Sequence, residues 1–384
     1  MSTLKVGAIR GVSASSDAIT VANDGTCIAN VTNNLSNKNI IINGSMIVDQ
    51  RSNGNSADTT GASYISCDRF GAAYAAASKF TMQQVASTLP GFEKALKITS
   101  SGTTSNSSQH YLMRYSIEGH DSARLALGTS SAKTFTLSFY VKGSIAGDYS
   151  VAFANGSDNR VYATTYTINS ADTWERKTIT LTGDTSGTWA TNNTEGMEIK
   201  WDLGSGSDHN VSAANQWLGE DKLKVSGTVN LVATNAATLE FTGVQLELGS
   251  VATDFEYRSL TQELALCQRY FYMHANYLIP GNASAGSGIS DNCSAYNTAT
   301  AFFSIDLPVT MRTKPTLYVT ASGTFGYYNA GGPLSSVTAG PGLDGVTTPT
   351  VYTGSFGGTF TQGAGILLRT NNNSTGQLGL QAEL

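Results

Sequence analysis

Two pairs of neighbouring carboxylates, Glu195 with Glu198 and Glu220 with Asp221, are where this chain could arrange acid–base chemistry. Hydrolysis of a glycosidic bond needs one carboxyl group as acid and a second as base or nucleophile. Nothing around either pair distinguishes it from solvated charges at strand edges and turns. The four histidines, His110, His120, His209 and His274, lie outside any H-E-x-x-H pattern, and no G-x-S-x-G, phosphate-loop or dinucleotide fingerprint occurs. Gly354-Ser-Phe-Gly-Gly358 lacks the strand–loop–helix setting that cradles phosphate and reads as a loop. Cys27, Cys67, Cys267 and Cys293 are far apart and without C-x-x-C spacing. They read as isolated buried thiols, not as a zinc site or disulfide framework. Asp148, Asp158, Asp172, Asp184, Asp202 and Asp208 lie in or beside turns, where oxygen ligands suit calcium. No calcium-loop motif is present, so they read as residues capping their own turns. The expectation is no catalytic residue, no metal site, no cofactor and no enzyme; structural calcium has no motif behind it.

Binding chemistry is better represented. Amphipathic aromatic rings suit recognition, because one face stacks while an edge hydrogen-bonds. Of the four tryptophans, Trp174 opens a strand and reads as core. Trp189 and Trp217 sit in polar, loop-like stretches and are the predicted ligand contacts. The N-x-[ST] triplets follow from a Ser/Thr/Asn-rich composition and carry no weight.

The elements that would position these residues are strands. Thr134–Lys142, Arg176–Thr182, Met197–Leu203 and Leu239–Leu248 alternate apolar and polar residues, one face toward a core and one toward water. Clusters such as Asn155-Gly-Ser-Asp-Asn159 and Gly183-Asp-Thr-Ser-Gly187 supply turns between them. Many short strands so punctuated predict a β-sandwich. One segment differs: Ser259–Phe271 reads as a helix capped by Ser259 with Gln262, with Leu260, Leu264, Cys267 and Phe271 on one face. It is predicted as a hinge between two β regions. Beyond it, residues 271–384 hold only seven charges among 114 residues, with strand candidates at Phe302–Leu307 and Thr316–Thr320. Such a surface either relies on hydroxyls and amides for solubility or is buried against copies of itself. Residues 1–38 offer two strands, Ala18–Ala22 and Cys27–Val31, around the turn signal Asn23-Asp-Gly-Thr26. Too short for a core of its own, this segment is expected to pack on a neighbouring subunit or partner.

Length and charge set bounds. A chain of 384 residues corresponds to two or three domains. With 17 Tyr and 14 Phe and only 13% charged residues it does not have a disordered composition. A net charge of −5 argues against a basic nucleic-acid-binding face. No 18-residue apolar run occurs, so no membrane insertion is expected. The N-terminus lacks the apolar stretch of a signal peptide, which predicts synthesis in a cytoplasm without general export.

Several stretches resemble a family. Asn39-Ile-Ile-Ile-Asn-Gly-Ser-Met-Ile-Val-Asp-Gln-Arg51, followed by Cys67-Asp-Arg-Phe70, is similar to the N-L-L-I-N-G-x-F-x-x-x-Q-R and D-R-W pattern that opens jelly-roll modules of bacteriophage tail fibres and related virion appendages. Met46 stands where the family has an aromatic residue and Phe70 where it has Trp. Phe135–Lys142 resembles its T-x-S-F-W-x-K strand, and Thr173-Trp-Glu-Arg176 its G-T-W-Q-R. The most specific match is Phe241–Arg258 followed by Glu263–Tyr270. Leu307–Pro315 is similar to F-P-V-x-M-R-x-x-P. The start, Met1-Ser-Thr-Leu-Lys-Val6, resembles phage appendage proteins, cyanophage ones among them.

The resemblance spans nearly the whole chain, most strongly 39–315. With the strand periodicity, the single helix and the change of composition beyond it, the sequence predicts an all-β protein in three parts. Residues 1–38 would be a docking or trimerisation segment, 39–258 a jelly-roll β-sandwich, and 259–384 a linker helix plus a smaller β domain. The resemblance implies a homotrimeric virion structural protein, made in the host cytoplasm and exposed on the particle. The function expected is a tail fibre or similar appendage attaching to host surface polysaccharide. Its partners would be itself, other tail or capsid proteins and a host-surface glycan. Two alternatives remain: a head decoration, head fibre or collar protein that binds no receptor, and a secreted glycan-binding or glycan-hydrolysing module.

Overall fold

The computed structural model describes residues 7–10, 19–21, 27–29, 37–59, 64–102, 105–276, 292–319, 325–329, 334–343, 348–370 and 377–384. Three short strands, β1 (Ala8–Ile9), β2 (Ile19–Val21) and β3 (Cys27–Ala29), form a small antiparallel sheet. The Asn23–Thr26 turn and most of the proposed docking segment lie outside the described residues.

The alternating stretches form an antiparallel jelly-roll sandwich. Its strands are β4 (Ala57–Asp58), β5 (Phe70–Tyr74), β6 (Phe80–Ala86), β7 (Lys94–Ser100), β8 (Tyr111–Glu118), β9 (Phe135–Gly143), β10 (Gly147–Asn155), β11 (Val161–Ile168), β12 (Glu175–Leu181), β13 (Glu195–Asp202), β14 (Trp217–Leu218) and β15 (Thr238–Leu248). One six-stranded sheet runs β14-β11-β10-β13-β8-β5 and the other β12-β9-β15-β7-β6-β4. Period two decides the core. Met113, Tyr115, Val151, Phe153, Ile199 and Trp201 of the first sheet face Leu137, Phe139, Leu239 and Phe241 of the second, all essentially inaccessible. Trp201 is fully enclosed in this core. Trp174 is only half-buried: it precedes β12 at a sheet edge, donates Nε1–H to Thr88 and lies 5.2 Å from the Lys142 ammonium. Opening a strand placed it beyond the last paired residue, clear of the core.

The helix Leu260–Gln268 starts where expected, with Ser259 Oγ accepting the amide of Gln262 at 3.3 Å. Most of the apolar stripe turns inward, Cys267 and Phe271 fully and Leu264 in part, whereas Leu260 is 55% exposed and Glu263 is buried beside them. Its strand-like sequel is β16 (Phe271–Asn276). There follow β17 (Asn292–Ala295), β18 (Thr300–Asp306), β19 (Thr316–Val319), β20 (Phe325–Asn329), β21 (Ser335–Ser336), β22 (Ala339–Leu343), β23 (Val351–Gly357), β24 (Ile366–Thr370) and β25 (Gln377–Gln381). They form sheets ordered β16-β25-β19, β17-β18-β23-β22 and β21-β20-β24 around one core containing Phe303, Phe325, Tyr352, Phe356, Leu368 and Leu380. Gly354–Gly357, read as loop, belongs to β23. A side chain at Gly354 would stand 2.6 Å from the Phe303 ring, so this glycine makes room for packing rather than for a turn.

Candidate functional site

On β8 and β13 the residues that alternate with the core face outward: Leu112 and Arg114, then Glu198 and Lys200. They floor a groove of about 500 Å³. Over the neighbouring strands β10 and β11 the same face is closed, because Val211, Leu218 and Val225 of the 204–230 loop pack on Ala152, Val161 and Ala163. That loop therefore forms one wall, with Asp208, His209, Asp221 and Lys222, and His110 stands beside it.

The floor is a fixed row of alternating charge. The Arg114 guanidinium lies 3.2 Å from Glu198, Glu198 lies 3.0 Å from the Lys200 ammonium, and Lys200 lies 2.5 Å from Asp158. Burial works against the Lys200 charge, but Glu198 and Asp158 outweigh it, and Lys200 holds its proton more tightly than a free lysine. The wall is anchored by main chain. Gly206 N–H donates to Gln109 and Asp208 N–H to Ser107, and a side chain at Gly206 would fall 2.1 Å from the Asn106 carbonyl oxygen. His209 Nε2 lies 2.9 Å from the Ser108 oxygen, and its ring meets that of His110 edge-on at 5.6 Å. Burial, then His209 and Lys200, hold the His110 imidazole below the usual histidine range. Asp208 and Asp221 are exposed. The groove thus presents ammonium, imidazole and carboxylate groups above a floor of paired charges, with Leu112 as its apolar part. That donor–acceptor mixture suits a polyhydroxylated ligand.

The structure disperses the sequence candidates. Glu198 and Asp221 reach the groove, their partners do not. Glu195 is half-buried, and desolvation with the adjacent Glu198 raises its pKa. Glu220 accepts both the amide and hydroxyl hydrogens of Ser212. Trp189 and Trp217 are together, ring centroids 5.4 Å apart and edge-to-face, at one rim of the sandwich core and not in the groove. Trp189 is only 9% exposed and donates to the Ser186 oxygen; half-buried Trp217 stacks obliquely on Tyr162 and donates to the Thr182 oxygen. Asp202 and Asp184 accept the amides of Ser205 and Ser186, as turn residues do. Cys67 and Cys267 are buried and unbridged, and burial raises both thiols. Among the described residues no cluster could hold a metal ion.

The motif residues meet elsewhere, at the seam between the sandwich and the 271–384 region. Asn39 Oδ1 accepts the amides of Ile41 and Leu246. Gly44 lies so close to β15 that a side chain would fall 2.1 Å from the Val244 oxygen. Asn43, at φ 60°, donates to the Val48 and Asp68 oxygens, accepts the Val48 amide, and gives its own amide to Glu263. Gln50 bridges Asp68 and β16 through the Phe271 oxygen. Arg51 and Arg69 both grip Glu383, and their guanidinium carbons lie 3.5 Å from the Phe271 and Tyr270 ring centroids. Arg269 forms a two-point contact with Glu118, which also accepts the Tyr270 hydroxyl hydrogen. Asp68 is fully enclosed, and burial pushes its pKa up to about 6 against the pull of Arg51. Glu383 and Glu118 carried no sequence signal; Arg312 did, as the arginine of the family-like Leu307–Pro315 stretch.

No protein-family model and no curated protein matches the chain. Among solved structures, the enzymatically active domain of bacteriophage CBA120 tailspike protein 4 is 12% identical, with 55% of this chain and 22% of that one covered and a TM-score of 0.28. This chain thus spans about a fifth of that structure. A family 11 carbohydrate-binding module from Clostridium thermocellum, in complex with a β-1,3-1,4-mixed-linked tetrasaccharide, is 14% identical over 53% of this chain and 98% of its own, at a TM-score of 0.27. A putative sugar-binding protein from Bacteroides thetaiotaomicron is 14% identical over 55% and 100%, at 0.32. Likenesses of this size assign no function.

Proposed function

We propose that this protein is a structural component of a phage virion, a tail-fibre-like appendage that holds a host-surface glycan in the groove over β8 and β13 without turning it over. The groove carries this reading: a rigid floor of paired charges and a wall of exposed donors and acceptors match sugar hydroxyls. The family-like residues fit it as the connections that hold such a module rigid. Display on the exterior of the particle as a homotrimer would multiply weak single-site binding through effective concentration.

The test is retention of the purified full chain on a panel of immobilised bacterial polysaccharides, with and without His209→Ala, Asp221→Asn and Lys222→Ala combined. Retention by at least one polysaccharide, lost in the triple variant, is expected. Retention that survives the triple variant removes the groove from the reading. Release of reducing ends replaces binding by hydrolysis. Gold-labelled antibody against the chain should mark the tails of intact particles; label on the capsid face overturns the tail position.

A further inference from the structure

A second hollow, of about 480 Å³, opens at the seam where the end of the chain folds over the same sheet. Arg114 lines both this hollow and the groove. Its other cations are Arg312 and Lys314, and its rim carries the Tyr64 and Tyr318 rings.

The charges here are unevenly matched. The three hydrogen bonds of the Arg312 guanidinium run to main-chain oxygens, of Ala382, Asn193 and Glu383, and none to a carboxylate. Burial lowers the pKa of this guanidinium although Glu118 and Glu383 act on it through space, and neither carboxylate is in contact with it. Arg114 shares Glu198 with Lys200, and its Nε–H is buried without a partner. The acidic side chain in the wall, Glu383, is held by Arg51 and Arg69 from behind. A planar guanidinium fork is the protein group best shaped to an oxyanion.

We infer that the seam hollow binds the oxyanion of an acidic sugar, a uronate carboxylate or a sulfate ester, while neighbouring residues of the same glycan chain lie in the groove. This rests on the groove reading and narrows its ligand class to acidic polysaccharide. Arg114, common to both hollows, places the charged and neutral parts of one ligand side by side.

The experiment is calorimetric titration of the full chain at low salt with tetragalacturonate, its fully methyl-esterified form, a sulfated neutral tetrasaccharide and inorganic sulfate. The acidic oligosaccharides should bind at least tenfold more tightly than the ester, with the preference shrinking as salt rises. Lys314→Gln, at an exposed position, should cut the preference several-fold without changing ester binding, and Arg114→Gln should reduce both. Ranking of uronate against sulfate identifies the oxyanion. Equal binding of acid and ester overturns the inference and leaves glycan binding standing. Binding of inorganic sulfate as tight as that of the oligosaccharides overturns it in favour of a simple anion site. Binding of none of the four overturns both.

Discussion

The seam and the groove share Arg114 and one face of one sheet, yet they are built in opposite ways. In the seam, carboxylates and guanidiniums are enclosed and nearly every one is committed to a partner: Glu383 to Arg51 and Arg69, Glu118 to Arg269 and Tyr270, Glu263 to Arg258 and Asn43. In the groove, a paired floor is left open under a wall whose Asp208 and Asp221 face water. Enclosed charges must be matched or they destabilise the fold; exposed ones are free to meet a ligand. The difference separates residues that hold the molecule from residues able to act on something else.

The sharpest way to break this comparison is Glu383→Ala. It leaves Arg69, 1% exposed, without a carboxylate and Arg51, 2% exposed, with only Asp68 at 3.9 Å, and removing one partner of a buried pair costs about 3–5 kcal/mol. Chemical denaturation should show that loss; an unchanged midpoint means the seam charges are solvated in solution. Gly44→Ala comes next. Its new methyl collides with the Val244 oxygen, and forced overpacking costs about 1–3 kcal/mol, read as a lower melting temperature. A subtler check is Asp68. With a pKa about 6 in the folded chain against 3.8 unfolded, the folded state holds the extra proton between these values. Its contribution to stability is therefore greatest at low pH and declines as pH rises through that window. Carboxyl-carbon NMR should find its midpoint near 6, and a midpoint near 4 would mean that water reaches the site. Smallest of all, the groove triple variant should change stability by less than about 0.5 kcal/mol per position, as surface substitutions do.

How much of this was legible follows the same division. Alternation placed β9, β12, β13 and β15 because one buried face imposes period two, and a capping serine placed the helix start. Leu264, Cys267 and Phe271 follow the helical stripe, but Glu263 joins them because Asn43 and Arg258 draw it inward, a tertiary demand that local apolarity does not show. The Asn39–Arg51 pattern was conspicuous because a buried network tolerates few residue types at each position. The groove was not: Arg114, Lys200 and His209 come from separate strands and a loop, and no sequence spacing joins them. Trp189 and Trp217 drew notice as large rings in polar stretches, but each ring turns toward the sandwich core.

The most direct measurement is hydrogen–deuterium exchange of the full chain with and without a saturating neutral glycan from the retaining polysaccharide. The expected footprint is added protection at 106–114 and 206–224, with 39–51 and 263–270 already slow and unchanged. Protection centred on Trp189 and Trp217, or on the Asn39–Arg51 stretch, with none along the groove, would contradict the division between a holding seam and a binding groove.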